Sequence, residues 1–261
     1  MEVVIGTTPD EAGKLAADAI EACVRQRPEA VLGVATGSSP LIIYDDLSRR
    51  VKQGSLSLSK ARAFMLDEYV GLPADHPQRY LSVIRDEFVN KVDIDPAQVL
   101  GPDGCAADLL RACEAYERAM AEAGGVDLQI LGIGTDGHIA FNEPGSSLAS
   151  RTRIKTLTSQ TRRDNARFFG GNVDAVPRHC LTQGIGTILQ ARHVVLVASG
   201  RRKAEAVHQL VEGPVSAMWP ATALQLHPHV TVLLDTAAAS RLQLASYYTE
   251  TYQGKPSWQG F

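Results

Sequence analysis

Apolar residues along this chain gather into short runs, and polar stretches with helical spacing separate them. Val3-Val4-Ile5, Ala30 to Ala35, Ala61 to Leu66, Val126 to Leu131, His193 to Ala198 and Val230 to Leu234 predict buried strands. Ala12, Leu15, Ala16, Ala19, Ile20 and Cys23 recur at helical spacing, so the helix that carries them covers a sheet face. Thr8-Pro9-Asp10-Glu11 opens that helix, with Thr8 as cap, Pro9 in the first turn and Glu11 completing a capping box. Leu41 to Val51 and Arg79 to Val89 read as further helices, and so does Asp108 to Ala123, which Gly124-Gly125 stops. Another runs from about Lys203 to Glu212. Strands alternating with helices predict an α/β fold with a mostly parallel sheet.

Several predicted strands end in turns with chemical content. After Ala35 comes Thr36-Gly-Ser-Ser-Pro40 and then a helix. That order makes a nest of backbone N–H groups at a positive helix end, with the Ser38 and Ser39 hydroxyls as further donors, and phosphate suits it. An ordinary capped βα turn has the same composition. The turn is neither a Walker loop nor a G-x-G-x-x-G dinucleotide turn. After Leu66 come Asp67 and Glu68, two adjacent acids that repel each other and favour a functional carboxylate. After Leu131 comes Gly132-Ile-Gly-Thr-Asp-Gly-His-Ile-Ala-Phe-Asn-Glu143, which places His138 between Asp136 and Glu143. A His so flanked is held in one tautomer and passes protons near neutral pH; the alternative is a tight turn whose His caps a helix. After Ala198, Lys203 falls near a helix start, where a cation opposes the helix dipole unless an anion is bound.

Parallel strands in one sheet would bring these turns to one edge. Two polar segments complete the inventory. Pro144 to Lys155 is basic; it is either a solvated loop or an anion site in which Ser146, Ser147, Arg153 and Lys155 converge. The stretch 158–177 is long and polar, contains Arg167-Phe168-Phe169, and reads as a candidate active-site lid.

The totals narrow the class. The chain has 261 residues, 44% of them hydrophobic, and a net charge of -3, which gives ample core and no basic surface for nucleic acid. Cys23, Cys105, Cys113 and Cys180 form no C-x-x-C pair or metal-ligand spacing, so they read as reduced thiols of a cytoplasmic protein. The N-terminus lacks signal-peptide order, and no apolar run approaches the ~20 residues of a membrane span. The inferred site has an anion-binding half and a proton-transfer half, with no metal, nucleotide or cofactor signature. A small sugar phosphate undergoing proton transfer fits it.

Thr36-Gly-Ser-Ser-Pro40, Asp67-Glu-Tyr-Val-Gly-Leu72, the Gly132 to Pro144 motif and Ser147 to Thr156 closely resemble the glucosamine-6-phosphate deaminases, in the same order along the chain. The resemblance implies a modified Rossmann-like, three-layer α/β/α sandwich in one domain spanning 1–261. It implies conversion of D-glucosamine 6-phosphate and water to D-fructose 6-phosphate and ammonium, with no cofactor. Carried over by motif, His138 opens the pyranose ring, Asp136 and Glu143 orient it, and Asp67 moves the proton from C2 to C1. Glu68 would be supporting. Ser38, Ser39, Arg167 and Lys203 would bind the phosphate, with Ser-Ser here where many members have Gly-Thr or Ser-Thr. Some members are hexamers activated by N-acetylglucosamine 6-phosphate; Ser146, Ser147, Arg153, Lys155, Thr156 and Tyr247 match that allosteric motif. Two rivals stand beside this reading: a 6-phosphogluconolactonase, which shares a similar Gly-x-Gly-x-Asp-Gly-His turn, and a sugar-phosphate-sensing regulator domain.

Overall fold

The computed structural model describes residues 1–256 and 258–260. Among these the strands are β1 (Glu2–Gly6), β2 (Val31–Val34), β3 (Arg62–Met65), β4 (Asp67–Tyr69), β5 (Val99–Leu100), β6 (Leu128–Leu131), β7 (Arg153–Thr156), β8 (His179–Thr182), β9 (His193–Ala198) and β10 (Val230–Asp235). The helices are α1 (Pro9–Gln26), α2 (Ser38–Lys52), α3 (Tyr80–Glu87), α4 (Leu109–Glu122), α5 (Ser159–Asn165), α6 (Ile185–Ile188), α7 (Ala204–Glu212) and α8 (Ala245–Gln253). No helix among the described residues is long and apolar enough to cross a membrane.

A seven-stranded sheet in the order β1-β10-β9-β6-β2-β3-β5 forms the centre, and its neighbours all pair in parallel. Successive residues on its strands feed two cores. Leu32, Val34, Ile130 and Val197 pack with Ile20, Ile43, Tyr44 and Phe88 on one face. Val31, Leu131, Leu196 and Leu234 pack with Tyr116, Met120, Ile188 and Leu210 on the other. Both faces are therefore covered, which is the expected three-layer α/β/α sandwich.

The helix ends follow the sequence closely. Thr8 accepts the Glu11 amide at 3.2 Å, but the Glu11 carboxylate returns to Thr7, one residue before the position a capping box uses. Asp108 accepts the Leu110 and Arg111 amides, and Gly124 and Gly125 end α4 in the left-handed region.

A second sheet was not expected. β4, β8 and β7 form a small antiparallel sheet, Asp67 opposite Thr182 and Lys155 opposite Cys180. It places Asp67 and Glu68 on a strand rather than in a turn, and it puts Arg153 to Lys155, the end of the basic Pro144 to Lys155 stretch, on a strand as well. β2 and β6 lie side by side at the middle of the large sheet, and the chain leaves them in opposite directions, to β3 and to β9. Such a reversal opens a crevice at the carboxyl ends of the strands.

Candidate active site

The turns after β2, β3, β6 and β9 all leave the carboxyl edge of the parallel sheet, beside that crevice. The turn after β6 is tight: Gly134 donates its amide to the His138 carbonyl at 2.9 Å, and Gly137 donates to Gly134 at 3.1 Å. A Cβ on Gly134 would sit 2.2 Å from the His138 ring, so only glycine allows the imidazole to fold back over the turn. Asp136 Oδ1 lies 2.6 Å from His138 Nδ1 and also accepts the His138 amide at 3.3 Å. A carboxylate at Nδ1 places the ring proton there and leaves Nε2 available for proton exchange. That hydrogen bond, ahead of any other influence, holds the Asp136 carboxyl below its ordinary value. Ala140, in the same loop, has φ 50, a left-handed conformation unusual for a residue with a side chain.

Asp67 enters from β4. The Gln183 side chain donates to the Met65 carbonyl at 2.9 Å and its amide to the Leu66 carbonyl at 2.8 Å, which fixes the step from β3 to β4. Asp67 is 8% exposed. Burial, and then the charge of Glu68, push its carboxyl up to about 8. A carboxylate of that strength is matched to accepting a proton near neutral pH.

Glu143 departs from expectation. It is buried, but it accepts hydrogen bonds from the Thr158 hydroxyl at 3.2 Å and from Thr161 rather than orienting His138. Thr158 also caps α5, the first helix of the 158–177 stretch. The other end of α5 is tied too, because Asn165 donates to the Tyr69 hydroxyl at 2.9 Å, which accepts from Tyr80 at 3.2 Å. The candidate lid is thus fastened to the strand that carries Asp67.

The anion-binding half has two parts. Gly37 is the cap position of α2, with φ 108 and no side-chain hydrogen bond, so no side chain caps the amides of the first turn beside Ser38 and Ser39. Asp235 accepts the Gly200 amide and holds the turn that carries Lys203. Burial, then Arg202, push the Lys203 ammonium down, with Arg167 acting the same way and Asp136 and Asp164 opposing. Lys203 and Arg167 therefore feel each other, and Lys203 also feels the Asp136–His138 pair. Arg167 stacks on Phe168 at 4.6 Å.

Of the remaining residues, Arg153 and Lys155 occupy alternate positions on β7, partly buried, while Thr156 is exposed. Ser146 is buried and its hydroxyl has no hydrogen-bond partner among the described residues. The Ser147 carbonyl accepts the Ser150 amide at 3.1 Å in a local turn. Tyr247 is exposed on α8, 5.6 Å from the Tyr248 ring.

Sequence reasoning missed Tyr69, Tyr80, Asn165 and Gln183. Nothing local announces them, since their partners are far along the chain. Thr158 and Thr161 carried a usable signal, a Thr-x-x-Thr step at a helix start.

Residues 7–233 match the family described as glucosamine-6-phosphate isomerases/6-phosphogluconolactonase. The chain is 69% identical to a glucosamine-6-phosphate deaminase of Mycolicibacterium smegmatis and 69% identical to one of Beutenbergia cavernae, with 100% of both chains covered in each case. A solved monomeric glucosamine-6-phosphate deaminase superposes with TM-score 0.89 at 44% identity, over 92% of this chain and 100% of that one. The 6-phosphogluconolactonase of Trypanosoma brucei, at 22% identity and TM-score 0.74 over 92% of this chain and 98% of its own, shares the fold. The chain belongs to the glucosamine-6-phosphate isomerase/6-phosphogluconolactonase family.

Proposed function

We propose that this chain converts D-glucosamine 6-phosphate and water to D-fructose 6-phosphate and ammonium, in amino-sugar catabolism in the cytoplasm. The observation that carries the reading is the pairing of a buried, strongly basic Asp67 with a separate Asp136–His138 pair 2.6 Å apart. An isomerising deamination needs those two functions: a base at carbon and a proton shuttle at the ring oxygens. Full-length relatives named as this deaminase support it.

The α2 amides with Ser38 and Ser39, together with Lys203 and Arg167, hold the phosphate. His138 Nε2 takes the anomeric hydroxyl proton and delivers it to the ring oxygen, which opens the ring to an aldehyde. Asp136 fixes the imidazole tautomer and stabilises its charged form. Asp67 then removes the C2 proton, and the electron pair moves into C1–C2 as the carbonyl oxygen is protonated, giving an enolamine. Return of the proton to C1 places the double bond at C2–N. Water adds there, and ammonia leaves as ammonium. Glu143, held by Thr158 and Thr161, ties the candidate lid to the site loop.

A second anion site for the activator N-acetylglucosamine 6-phosphate is part of the proposal. Arg153 and Lys155 share a face of β7, and the buried Ser146 hydroxyl is unpartnered, which supports it; Ser147, Thr156 and Tyr247 follow from motif alone. A hexamer would accompany it, although a solved relative is a monomer. Sedimentation with and without the activator, beside the saturation curve, tests both. A monomer with an unchanged curve removes hexamer and activator together.

The catalytic reading is tested by measuring ammonium and fructose 6-phosphate from glucosamine 6-phosphate. Equal yields of the two are expected. Lactone hydrolysis without ammonium release would transfer the chain to the lactonase branch.

A further inference from the structure

The backbone on either side of Asp67 is held by a buried acid that the reaction itself does not use. Glu68 follows Asp67 on β4 and is 1% exposed. Its side chain points to the opposite face of the strand, as alternation requires. One carboxylate oxygen accepts the Tyr69 and Tyr80 amides at 2.8 and 2.9 Å, and the other accepts the Leu81 amide at 3.0 Å. Tyr80 and Leu81 open α3, so Glu68 caps that helix from a strand. Arg79 adds a cation, its Nε 3.8 Å from the second oxygen and without a hydrogen-bond partner of its own. On the other side of β4, a Cβ on Gly104 would sit 2.0 Å from the Tyr69 carbonyl oxygen, so the strand has no room to shift that way.

This corner is built for an anion. Three amides and a guanidinium aim at one carboxylate, and a neutral amide side chain would set its NH2 against one of the donors. Burial pushes the Glu68 carboxyl up, while the three amides and Arg79 pull it back. The other groups that share a field with Asp67 are Tyr69, Tyr80 of α3, Tyr116 of α4 and Cys180 of β8, all held neutral mainly by burial. Glu143, Arg153 and Lys155 reach the Cys180 side of the same pocket.

We propose that Glu68 is a positioning residue for the proton transfer at carbon: clamped by the α3 amides, its fixed negative charge keeps Asp67 a strong base and keeps β4 seated. The proposal rests on the assignment of C2 deprotonation to Asp67.

The test is Glu68→Gln beside Glu68→Asp, read by the pH profile of kcat/KM and, independently of turnover, by carbon-13 NMR titration of labelled aspartate carboxyls, with Asp67→Asn to assign the signal. In Glu68→Gln the acid limb and the Asp67 titration both move down by about one pH unit. kcat falls about tenfold and KM stays within about threefold. Glu68→Asp keeps the charge, so its acid limb stays at the wild-type position even where kcat drops. A purely structural role would lower the melting temperature and kcat of both variants without moving the titration, and that result overturns the proposal. Should Glu68→Gln fail to fold, a shift of the Asp67 titration in Glu68→Asp as large as one pH unit would overturn it as well. If wild-type protein releases no ammonium, the catalytic reading fails, and the carboxyl titration still decides whether Glu68 sets the Asp67 proton affinity.

Discussion

Two aspartates sit at opposite edges of the parallel sheet with almost the same exposure, Asp67 at 8% and Asp127 at 7%. Their surroundings are opposed. Asp127, at the amino edge, accepts Arg27 and Arg192 at 2.8 Å each and the Val31 amide at 2.7 Å. Both of its ion-pair partners are opposite in sign. Asp67, at the carboxyl edge, has a like charge next to it, and among the described residues none donates a hydrogen bond to its carboxylate. Burial alone therefore says little about what a buried acid does; the partners separate an acid that fastens the fold from one kept ready to bind a proton. The unfavourable arrangement at the carboxyl edge is what the proposed role of Asp67 as a base requires.

Breaking the carboxyl-edge member is expected to have the largest effect. Asp67→Asn should lower turnover about 1,000-fold or more while substrate still binds. It should also stabilise the fold. The folded carboxyl sits at about 8 against an ordinary 3.8, so the stability it contributes is present below about 4 and is lost as pH rises through about 8. Melting temperatures of the two proteins should coincide near pH 4 and separate toward pH 9, with the variant higher. At the amino edge the signs reverse: Asp127→Ala should cost about 2 kcal/mol of stability, chiefly by leaving the buried Val31 amide without its acceptor, and the folded fraction should turn over normally. Denaturant unfolding beside a specific-activity assay checks both halves.

Slightly smaller is His138→Gln, expected to reduce kcat/KM about 100-fold on the closed-ring substrate through loss of the shuttle. Normal turnover of the closed ring would reassign the shuttle. The smallest effect lies again at the amino edge. His193 is buried against His229, rings 3.7 Å apart, and burial with the neighbouring His229 and His227 pushes it down to about 3 from 6.5. Its contribution is present above about pH 6.5 and lost as pH falls toward about 3. His193→Asn should flatten the acid side of the melting-temperature profile.

The comparison also explains what the sequence made legible. Six of the seven parallel strands were visible because they are apolar runs buried on both faces; the edge strand β5 was not, because it has only two residues and one of them is exposed. Thr8 was legible as a cap, and so was the Asp136–His138 pair, since each rests on neighbours within a few residues. The β4–β8–β7 sheet was not. β7 has a half-exposed pattern and β4 only three residues, Asp67, Glu68 and Tyr69, whose pairing partners lie near residue 181. No local pattern specifies such a register. The Glu68 cap on α3 was hidden in the same way. The partners of Glu143 were hidden too, because a motif records that an acid is present and not that Thr158 and Thr161 donate to it.

The account turns on Asp67 as the base at carbon. The most direct test follows the C2 hydrogen of glucosamine 6-phosphate, using substrate deuterated at C2 with wild-type protein and with Asp67→Asn, and confirming substrate binding to both by calorimetry. Wild-type protein is expected to remove the label from C2 and release ammonium at matching rates, and the variant to bind and leave the label in place. Removal of the C2 label by the variant at the wild-type rate would contradict the account.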